Sequence, residues 1–118
     1  MTNFDIDAER LLPLPPAVLH ILIALGEGEK HGYAVMQEVA ERTGGKVRMS
    51  PGTLYGSIRK MLDDGLIEES FRVQSTGDER RRYYRSPRFG RAVAAAEADR
   101  LSSLLRHARL NGLVPRNG

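Results

Sequence analysis

The segment from Ser50 to Leu66, SPGTLYGSIRKMLDDGL, constrains the fold of this chain more than any other feature. Ser50 is a favoured N-cap residue, and Pro51 fits the first turn of a helix, where the N–H that proline lacks would have no intrahelical partner. Gly65 suits the left-handed position that ends many helices. The apolar residues between these ends share one helical face: Leu54, Ile58, Met61 and Leu62. The segment therefore predicts a helix that packs on a protein body through one side only.

The opposite face of this helix is polar and basic, and no acid precedes Asp63. Its outward residues are Thr53, Ser57, Arg59 and Lys60. A solvated helix surface has a similar composition, but a basic hairpin predicted directly after the helix favours a DNA recognition helix. Ser50, Thr53 and Tyr55 are candidate hydroxyl donors to phosphate near the helix N-terminus, where the dipole favours anions. Only Arg59 has the geometry for a bidentate guanine contact, and its contact with a base or a phosphate stays open.

Two helices are predicted before this segment. The first, over Pro16–Leu25, follows prolines at 13 and 15 and is apolar on nearly every side, so it should be covered from several directions. The second runs from about Gly32 to Arg42, with its inward residues expected to be Tyr33, Met36, Val39 and Ala40. The connecting GEGEKHG is predicted as a turn, and residues 1–10 as a flexible polar tail.

A β-hairpin is predicted after the helix. Residues 66–73 predict a strand, QSTGDER a turn and RRYYR a returning strand. Arg80, Arg81 and Arg82 give the returning strand a basic run, and six arginines against two acids over residues 74–91 give this region a local charge of +4. Contact with phosphate or with the minor groove is the preferred interpretation, and a solvated charge cluster is the alternative.

A long last helix is predicted after the hairpin. Ser86-Pro87 repeats the cap of the Ser50 helix and opens a helix that ends near Leu110, about 36 Å long at 1.5 Å per residue. The short body before it cannot cover an apolar stripe of that length. A second copy of the chain is the expected cover, since C2 dimers are the commonest oligomers. The expected dimerisation residues are Val93, Leu101, Leu104, Leu105 and Ala108.

These elements predict a mainly α fold with a small β-hairpin. The expected organisation is a tail over residues 1–10, a winged helix-turn-helix domain over 11–85, a dimerisation helix over 86–111 and a C-terminal tail over 112–118. The formal charge of +3 and the pI of about 9.6 are compatible with a polyanionic partner.

Composition excludes several other classes of protein. The chain has 118 residues and no cysteine, so disulfides and thiolate chemistry are excluded. No apolar run reaches the roughly 18 residues of a membrane span, and the N-terminus lacks the basic start and apolar middle of a secretion signal. We therefore expect a soluble cytoplasmic protein.

Neither a catalytic site nor a cofactor is expected. The sequence contains no Ser-His-acid pattern, no phosphate-binding glycine loop and no carboxylate pair with a base nearby. Its three histidines lack the spacing of metal ligands, so no metal site is expected. His31 is either a pH switch or, as we expect, a turn residue that satisfies local backbone groups, and the adjacent Lys30 is a candidate phosphate contact.

Three stretches of the sequence resemble the PadR-type transcriptional regulators. LPPAVLHILIALGEGEKHGYAVMQEV (14–39) is similar to their opening helix and H-G-Y turn, and SPGTLYGSIRKMLDDGLIE (50–68) is similar to their G-T-L-Y…G-L-I recognition helix. RRRYYRSPRFGR (80–91) is similar to the end of their wing. The match covers about residues 11–91, and the short remainder resembles members with a single C-terminal helix. Gly56 departs from the family, which often has proline or another residue there.

The resemblance implies a homodimeric regulator, most often a repressor, that binds double-stranded operator DNA. It places Ser50 and Tyr55 at the DNA surface and implies that some members receive effectors near the dimer interface. We expect a small hydrophobic effector, with Leu14, Val18 and Met36 as candidate contacts, although such residues more often belong to a core.

Two other functions are compatible with the sequence. A winged helix can bind a protein through the same hairpin and third helix, and an architectural protein can bind DNA without sequence preference. Salt dependence discriminates the first from a DNA-binding regulator, because release of counterions weakens DNA binding as salt rises. Preference for one duplex over a scrambled duplex discriminates the second.

Overall fold

The structure, a computed structural model, describes residues 3–73 and 80–114. In chain order these residues form α1 (Asn3–Arg10), α2 (Pro16–Leu25), β1 (Lys30–His31), α3 (Gly32–Arg42), α4 (Pro51–Asp63), β2 (Glu68–Val73), β3 (Arg80–Arg85) and α5 (Arg88–Leu110). The fold is mainly helical with a small antiparallel sheet, as predicted. The predicted hairpin turn at 74–79 and the last four residues of the predicted C-terminal tail lie outside the described residues.

Helix α2 lies at the centre of the fold and contacts α3, α4 and α5. Its buried residues come from several sides of the helix, which confirms that an all-round apolar sequence is covered from several directions: Val18, Ile21, Leu22, Ala24 and Leu25. Helix α4 packs onto α2 and buries Leu54, Ile58 and Met61, the face predicted from their spacing.

Both ends of α4 have the predicted caps. The Ser50 Oγ accepts a hydrogen bond from the Thr53 backbone N–H at 3.1 Å. At the other end Gly65 has a φ of +75°, and its N–H bonds to the Leu62 carbonyl at 3.2 Å. The Leu66 N–H bonds to the Met61 carbonyl at 2.9 Å, which completes a Schellman motif.

The sheet contains three strands in the order β1-β3-β2, with both pairs antiparallel. The hairpin of β2 and β3 was predicted, whereas β1 was not. Lys30 and His31 of β1 lie opposite Tyr84 and Tyr83 of β3. Two residues in a glycine-rich turn carry no alternating pattern, so β1 forms only because β3 offers a free edge beside it.

The prediction of a flexible tail over residues 1–10 is wrong, because residues 3–10 form α1 and pack against α5. Ala8 is only 2% exposed, so its small side chain allows close approach of the two helices. Acids outnumber bases in this segment, which gave it the composition of a solvated tail. Short helices are marginal alone and are stabilised by tertiary packing, which a local pattern does not report.

Helix α5 is divided between the core and the surface. Val93 is fully buried within its own protomer, so its assignment as a dimerisation residue is wrong. A Cβ placed on Gly90 would lie 2.0 Å from the Leu66 carbonyl oxygen, which shows how closely the start of α5 crosses the body. Beyond this crossing Leu101, Leu104 and Leu105 are 39%, 54% and 42% exposed.

Candidate nucleic-acid interface

Helix α4 exposes the face that was predicted to contact DNA. Thr53, Tyr55, Arg59 and Lys60 are exposed, and Ser57 is half-buried. The capping Ser50 also donates its hydroxyl to Thr53 Oγ1 at 3.1 Å, so two hydroxyl groups are held together at the N-terminus of the helix. The positive end of the helix dipole and these hydroxyls favour an anion at this end.

The two cations of this face differ in their partners. Lys60 Nζ lies 3.3 Å from Asp64 Oδ1, one turn further along the helix. Arg59 makes no ion pair or side-chain hydrogen bond within the described part of the chain. Arg59 is therefore the α4 cation that an outside phosphate or base can approach without competition.

Lys30 does not have the surroundings predicted for a phosphate contact. Its Nζ lies 3.6 Å from Glu27 Oε2 and 3.5 Å from Glu38 Oε1, and its side chain is only 20% exposed. The two carboxylates neutralise the ammonium inside the protomer. The sequence places Lys30 beside His31 in a turn, but it does not show that α3 brings Glu38 against the Lys30 side chain.

The wing places two arginines among acids of the neighbouring strand. Arg82 Nε lies 3.4 Å from Glu69 Oε2, and Arg85 Nε lies 3.1 Å from Glu68 Oε2. The Arg82 side chain is 55% exposed. Exposed pairs of this kind contribute little to stability, so an incoming phosphate can replace the carboxylate. The side chains of Arg80 and Arg81 lie outside the described residues.

His31 is the N-cap of α3 and accepts a hydrogen bond at Nδ1 from the Ala34 N–H, 3.1 Å away. Its ring also meets the Tyr83 ring edge-on, with a centroid distance of 5.6 Å. The prediction of a turn residue that satisfies local backbone groups is confirmed.

A cleft of about 390 Å³ lies where α3, α4 and β3 meet. It is lined by His31, Gly32, Tyr33, Tyr55, Arg82 and Tyr84. The prediction that Tyr33 faces inward is wrong, since Tyr33 is 58% exposed. Gly32 allows Tyr55 to pack over the start of α3, because a Cβ there would lie 2.8 Å from the Tyr55 hydroxyl. Burial raises the pKa of Tyr84 on the floor of this cleft, and its hydrogen bond with Arg82 opposes that effect.

A second cavity, of about 220 Å³, lies between the start of α2 and the end of α4. Leu14 and Val18, two of the three candidate effector contacts, line it together with Met61 and Leu66. Lys60 and Asp64 of α4 stand at the same cavity. Met36 does not line it and instead packs, half-buried, against the main core, so the grouping of Met36 with the other two is wrong.

Glu97 is a buried carboxylate that the sequence analysis missed. Its Oε2 accepts a hydrogen bond from the Leu14 N–H at 2.8 Å, and its Oε1 accepts one from Arg100 Nε at 2.5 Å. The bond from Arg100 has the largest effect on the pKa of Glu97, which lies below its ordinary value although burial acts in the opposite direction. Glu97 follows Val93 by one turn on the apolar stripe, and a lone acid in such a stripe was the available signal.

Within residues 3–73 and 80–114 no group of three or more histidine, aspartate or glutamate side chains is placed to hold a metal ion. Over the same residues no helix combines the length and apolar character needed to cross a membrane.

The arrangement of α2, α3 and α4 followed by the β2–β3 hairpin is that of a winged helix-turn-helix domain. The family model described as "Transcriptional regulator PadR-like family" matches residues 19–96. The chain belongs to this family, whose members are transcriptional regulators rather than enzymes. The transcriptional regulator Rv3488 of Mycobacterium tuberculosis is 38% identical over 88 residues, which cover 75% of this chain and 78% of that protein.

Solved structures share the fold. A PadR family transcription regulator from Clostridium difficile superposes with a TM-score of 0.73 at 19% identity, over 81% of this chain and 97% of that chain. Bacillus subtilis PadR, solved in complex with operator DNA, superposes with a TM-score of 0.62 at 24% identity, over 75% of this chain and 48% of that chain.

Proposed function

We propose that the chain is a homodimeric, sequence-specific regulator that binds double-stranded operator DNA and represses transcription. The observation that carries the proposal is the exposed face of α4, which carries hydroxyls near its N-terminus and two cations, Arg59 and Lys60, further along, and is flanked by the exposed Arg82 of the wing. The complex of Bacillus subtilis PadR with operator DNA supports this use of the shared fold. Because operator DNA lies in the cytoplasm of bacteria, a cytoplasmic location is part of the proposal.

In the proposed complex α4 enters the major groove and the wing follows the flanking backbone. Ser50, Thr53 and Tyr55 bind phosphate at the start of the helix, and Ser57 and Lys60 extend the contact along it. Arg59, which is exposed and has no side-chain partner among residues 3–73 and 80–114, reads a base edge. The acidic end of α4, at Asp63 and Asp64, points away from the duplex because it would repel phosphate.

The wing contributes sequence-independent affinity. Arg80, Arg81 and Arg82 lie on consecutive positions of β3, so we propose that they contact the flanking backbone or the minor groove.

We propose that α5 forms the dimer through the stripe that its own protomer leaves exposed. Leu101, Leu104 and Leu105 are the exposed residues of this stripe, and the half-buried Ala108 continues it. A run of large exposed apolar residues on one helix marks an interaction surface. A two-fold dimer of this kind would present two α4 helices to half-sites about 34–36 Å apart, or a multiple of that spacing.

Duplex binding as a function of salt tests the main proposal. A fluorescent duplex selected from the source genome is titrated with protein at several salt concentrations, beside a scrambled duplex. With about six phosphates neutralised per dimer, the slope of log K against log salt should lie near −0.9 per phosphate. No binding at low salt, or binding indifferent to salt, would favour the protein-interaction alternative. Equal binding of both duplexes would favour a nonspecific architectural protein.

We further propose that the cavity lined by Leu14 and Val18 receives a small apolar effector that relieves repression. A cavity of 220 Å³ exceeds an apolar cavity of about 150 Å³ that holds benzene. Because Lys60 lines it, an occupant reaches the helix proposed to bind DNA, and it can change DNA affinity only if it binds the free and DNA-bound states unequally. Toluene should lower operator affinity in the wild type and not in Val18→Phe, whose larger side chain fills the cavity.

A further inference from the structure

We propose that the cleft between α3, α4 and β3 binds one backbone phosphate of the DNA, and that Tyr33 is a contact residue in it. The inference rests on the proposed function, since it assigns a group of the duplex to a place on the same surface. Tyr33 is 58% exposed at the second position of α3, and no assignment from sequence had placed it at the interface.

The position of the cleft is the first argument. Its walls come from α4 and β3, which are the two elements proposed to lie along the duplex, and α3 closes the space between them. A backbone that runs from the groove occupied by α4 to the wing must pass this cleft. A volume of about 390 Å³ admits a phosphodiester group with water around it.

The chemistry of the lining is the second argument. Three tyrosines, Tyr33, Tyr55 and the buried Tyr84, line the cleft together with Arg82, and no acidic residue is among the described residues that line it. One cation matches the single negative charge of a phosphodiester, and the hydroxyls can donate to its oxygens. Glu69, which pairs with Arg82 at 3.4 Å, stands outside the lining and is the acid that the phosphate would replace.

The packing of Tyr55 is the third argument. Its ring lies over Gly32 so closely that any side chain there would meet the Tyr55 hydroxyl at 2.8 Å. The hydroxyl of Tyr55 is therefore held at the start of α3, beside Gly32, which directly precedes Tyr33. Both tyrosines line the same cleft. A positioned donor of this kind loses little conformational freedom when the phosphate binds.

Tyr33→Phe removes one hydroxyl and keeps the ring, so it tests the contact without disturbing the fold. We expect operator affinity to fall about tenfold, the usual effect of losing a hydrogen bond to a charged group. The loss should be equal on operator and scrambled duplexes, because phosphate contacts carry no sequence information. The salt slope should stay unchanged because tyrosine is neutral. Arg82→Gln removes one cation from each protomer of the dimer, so it should reduce the magnitude of the slope by about 1.8.

Tyr83→Phe is the matched control, since Tyr83 does not line the cleft, and its affinity should equal that of the wild type. A scan of duplexes with single neutral methylphosphonates adds an independent measurement. At one position per half-site the methylphosphonate should weaken Tyr33→Phe by a smaller factor than it weakens the wild type, because only the contacts of Arg82 and Tyr55 remain to be lost there. If Tyr33→Phe binds the operator as tightly as the wild type, or if Tyr83→Phe loses as much affinity as Tyr33→Phe, the cleft assignment is overturned. Operator binding by the wild type would still support the proposed function. Failure of the wild type to bind any duplex would instead overturn the proposed function.

Discussion

Helices α4 and α5 each pack one face on the body and expose another, but the exposed faces differ in chemistry and in the way they arise. Helix α4 has 13 residues, all of them over the body, and its outward face carries hydroxyls, Arg59 and Lys60. Helix α5 has 23 residues and buries Gly90, Val93 and Glu97 only in its first half. Its second half exposes leucines. One protomer therefore presents a polar surface suited to a polyanion and an apolar surface suited to another protein chain.

An apolar stripe on a helix can form core, or it can form an exposed surface that another chain covers. On α4 the stripe of Leu54, Ile58 and Met61 ends where the body ends, so all of it is core. On α5 the same spacing continues past the body, so Val93 is core and Leu101 is surface. The length of a helix relative to the body beneath it decides whether its apolar residues are buried in the core or exposed.

Leu101→Asp should have the largest effect of the changes considered. It would place an unpaired charge in the proposed seam between two α5 helices, at a cost of several kcal/mol. We expect the dimer dissociation constant to rise at least about a hundredfold, measured by sedimentation velocity across protein concentrations. A variant that still sediments as a dimer at micromolar concentration would refute the assignment of this half of α5.

Val93→Ala is the contrasting variant on the buried half of the same helix. It leaves a cavity in the core, so the free energy of unfolding should fall by about 2 kcal/mol in chemical denaturation. Dimer dissociation should match the wild type under conditions where both are folded. Weaker dimer association with an unchanged free energy of unfolding would show that Val93 is a dimerisation residue.

Glu97→Gln tests the buried link between α5 and the start of α2. The neutral side chain loses the charge-assisted bond from Arg100, and we expect the free energy of unfolding at pH 7 to fall by about 1–3 kcal/mol. Because Arg100 and the Leu14 N–H lower the pKa of Glu97 below its ordinary value of 4.5, the carboxylate contributes stability above that pH. This contribution disappears as pH falls through the lowered pKa.

Denaturation of both proteins between pH 7 and pH 3 measures this contribution. The difference between wild type and Glu97→Gln should shrink as the pH falls below about 4. The exposed Glu41→Gln is the control and should match the wild type throughout. A difference independent of pH would show that packing, and not charge, makes the link.

Local signals in the sequence were sufficient for the helix that carries the proposed site. The Ser50 cap, the Gly65 stop and the inward face of α4 all follow from interactions within one helix. The errors arose where contact with another element decides the outcome. α1 is stabilised by α5, and Lys30 of β1 is neutralised by Glu38 of α3. No pattern within a single helix or strand contains that information.

Arg59→Ala should lower discrimination between operator and scrambled duplex, by about 1–3 kcal/mol if Arg59 reads a base. Lys60→Ala is the matched comparison from the same face of α4. It should weaken both duplexes equally and, because each protomer of the dimer loses one cation, reduce the magnitude of the salt slope by about 1.8. Uniform weakening in Arg59→Ala would assign Arg59 to a phosphate as well. Fluorescence anisotropy at two salt concentrations distinguishes these outcomes.

Gly56→Ala should have the smallest effect on stability. It should raise the stability of the fold and lower the affinity for operator DNA. Gly56 lies in the middle of α4, and a Cβ built there meets no atom within 4 Å, so alanine should stabilise the helix by about 1 kcal/mol. The same methyl group would stand between the helix backbone and a duplex in the groove, so operator affinity should fall severalfold. Higher thermal stability with unchanged affinity would mean that DNA does not approach α4 at this turn. That result would contradict the proposed entry of this turn of α4 into the major groove. It would not affect the proposed dimer contact of α5.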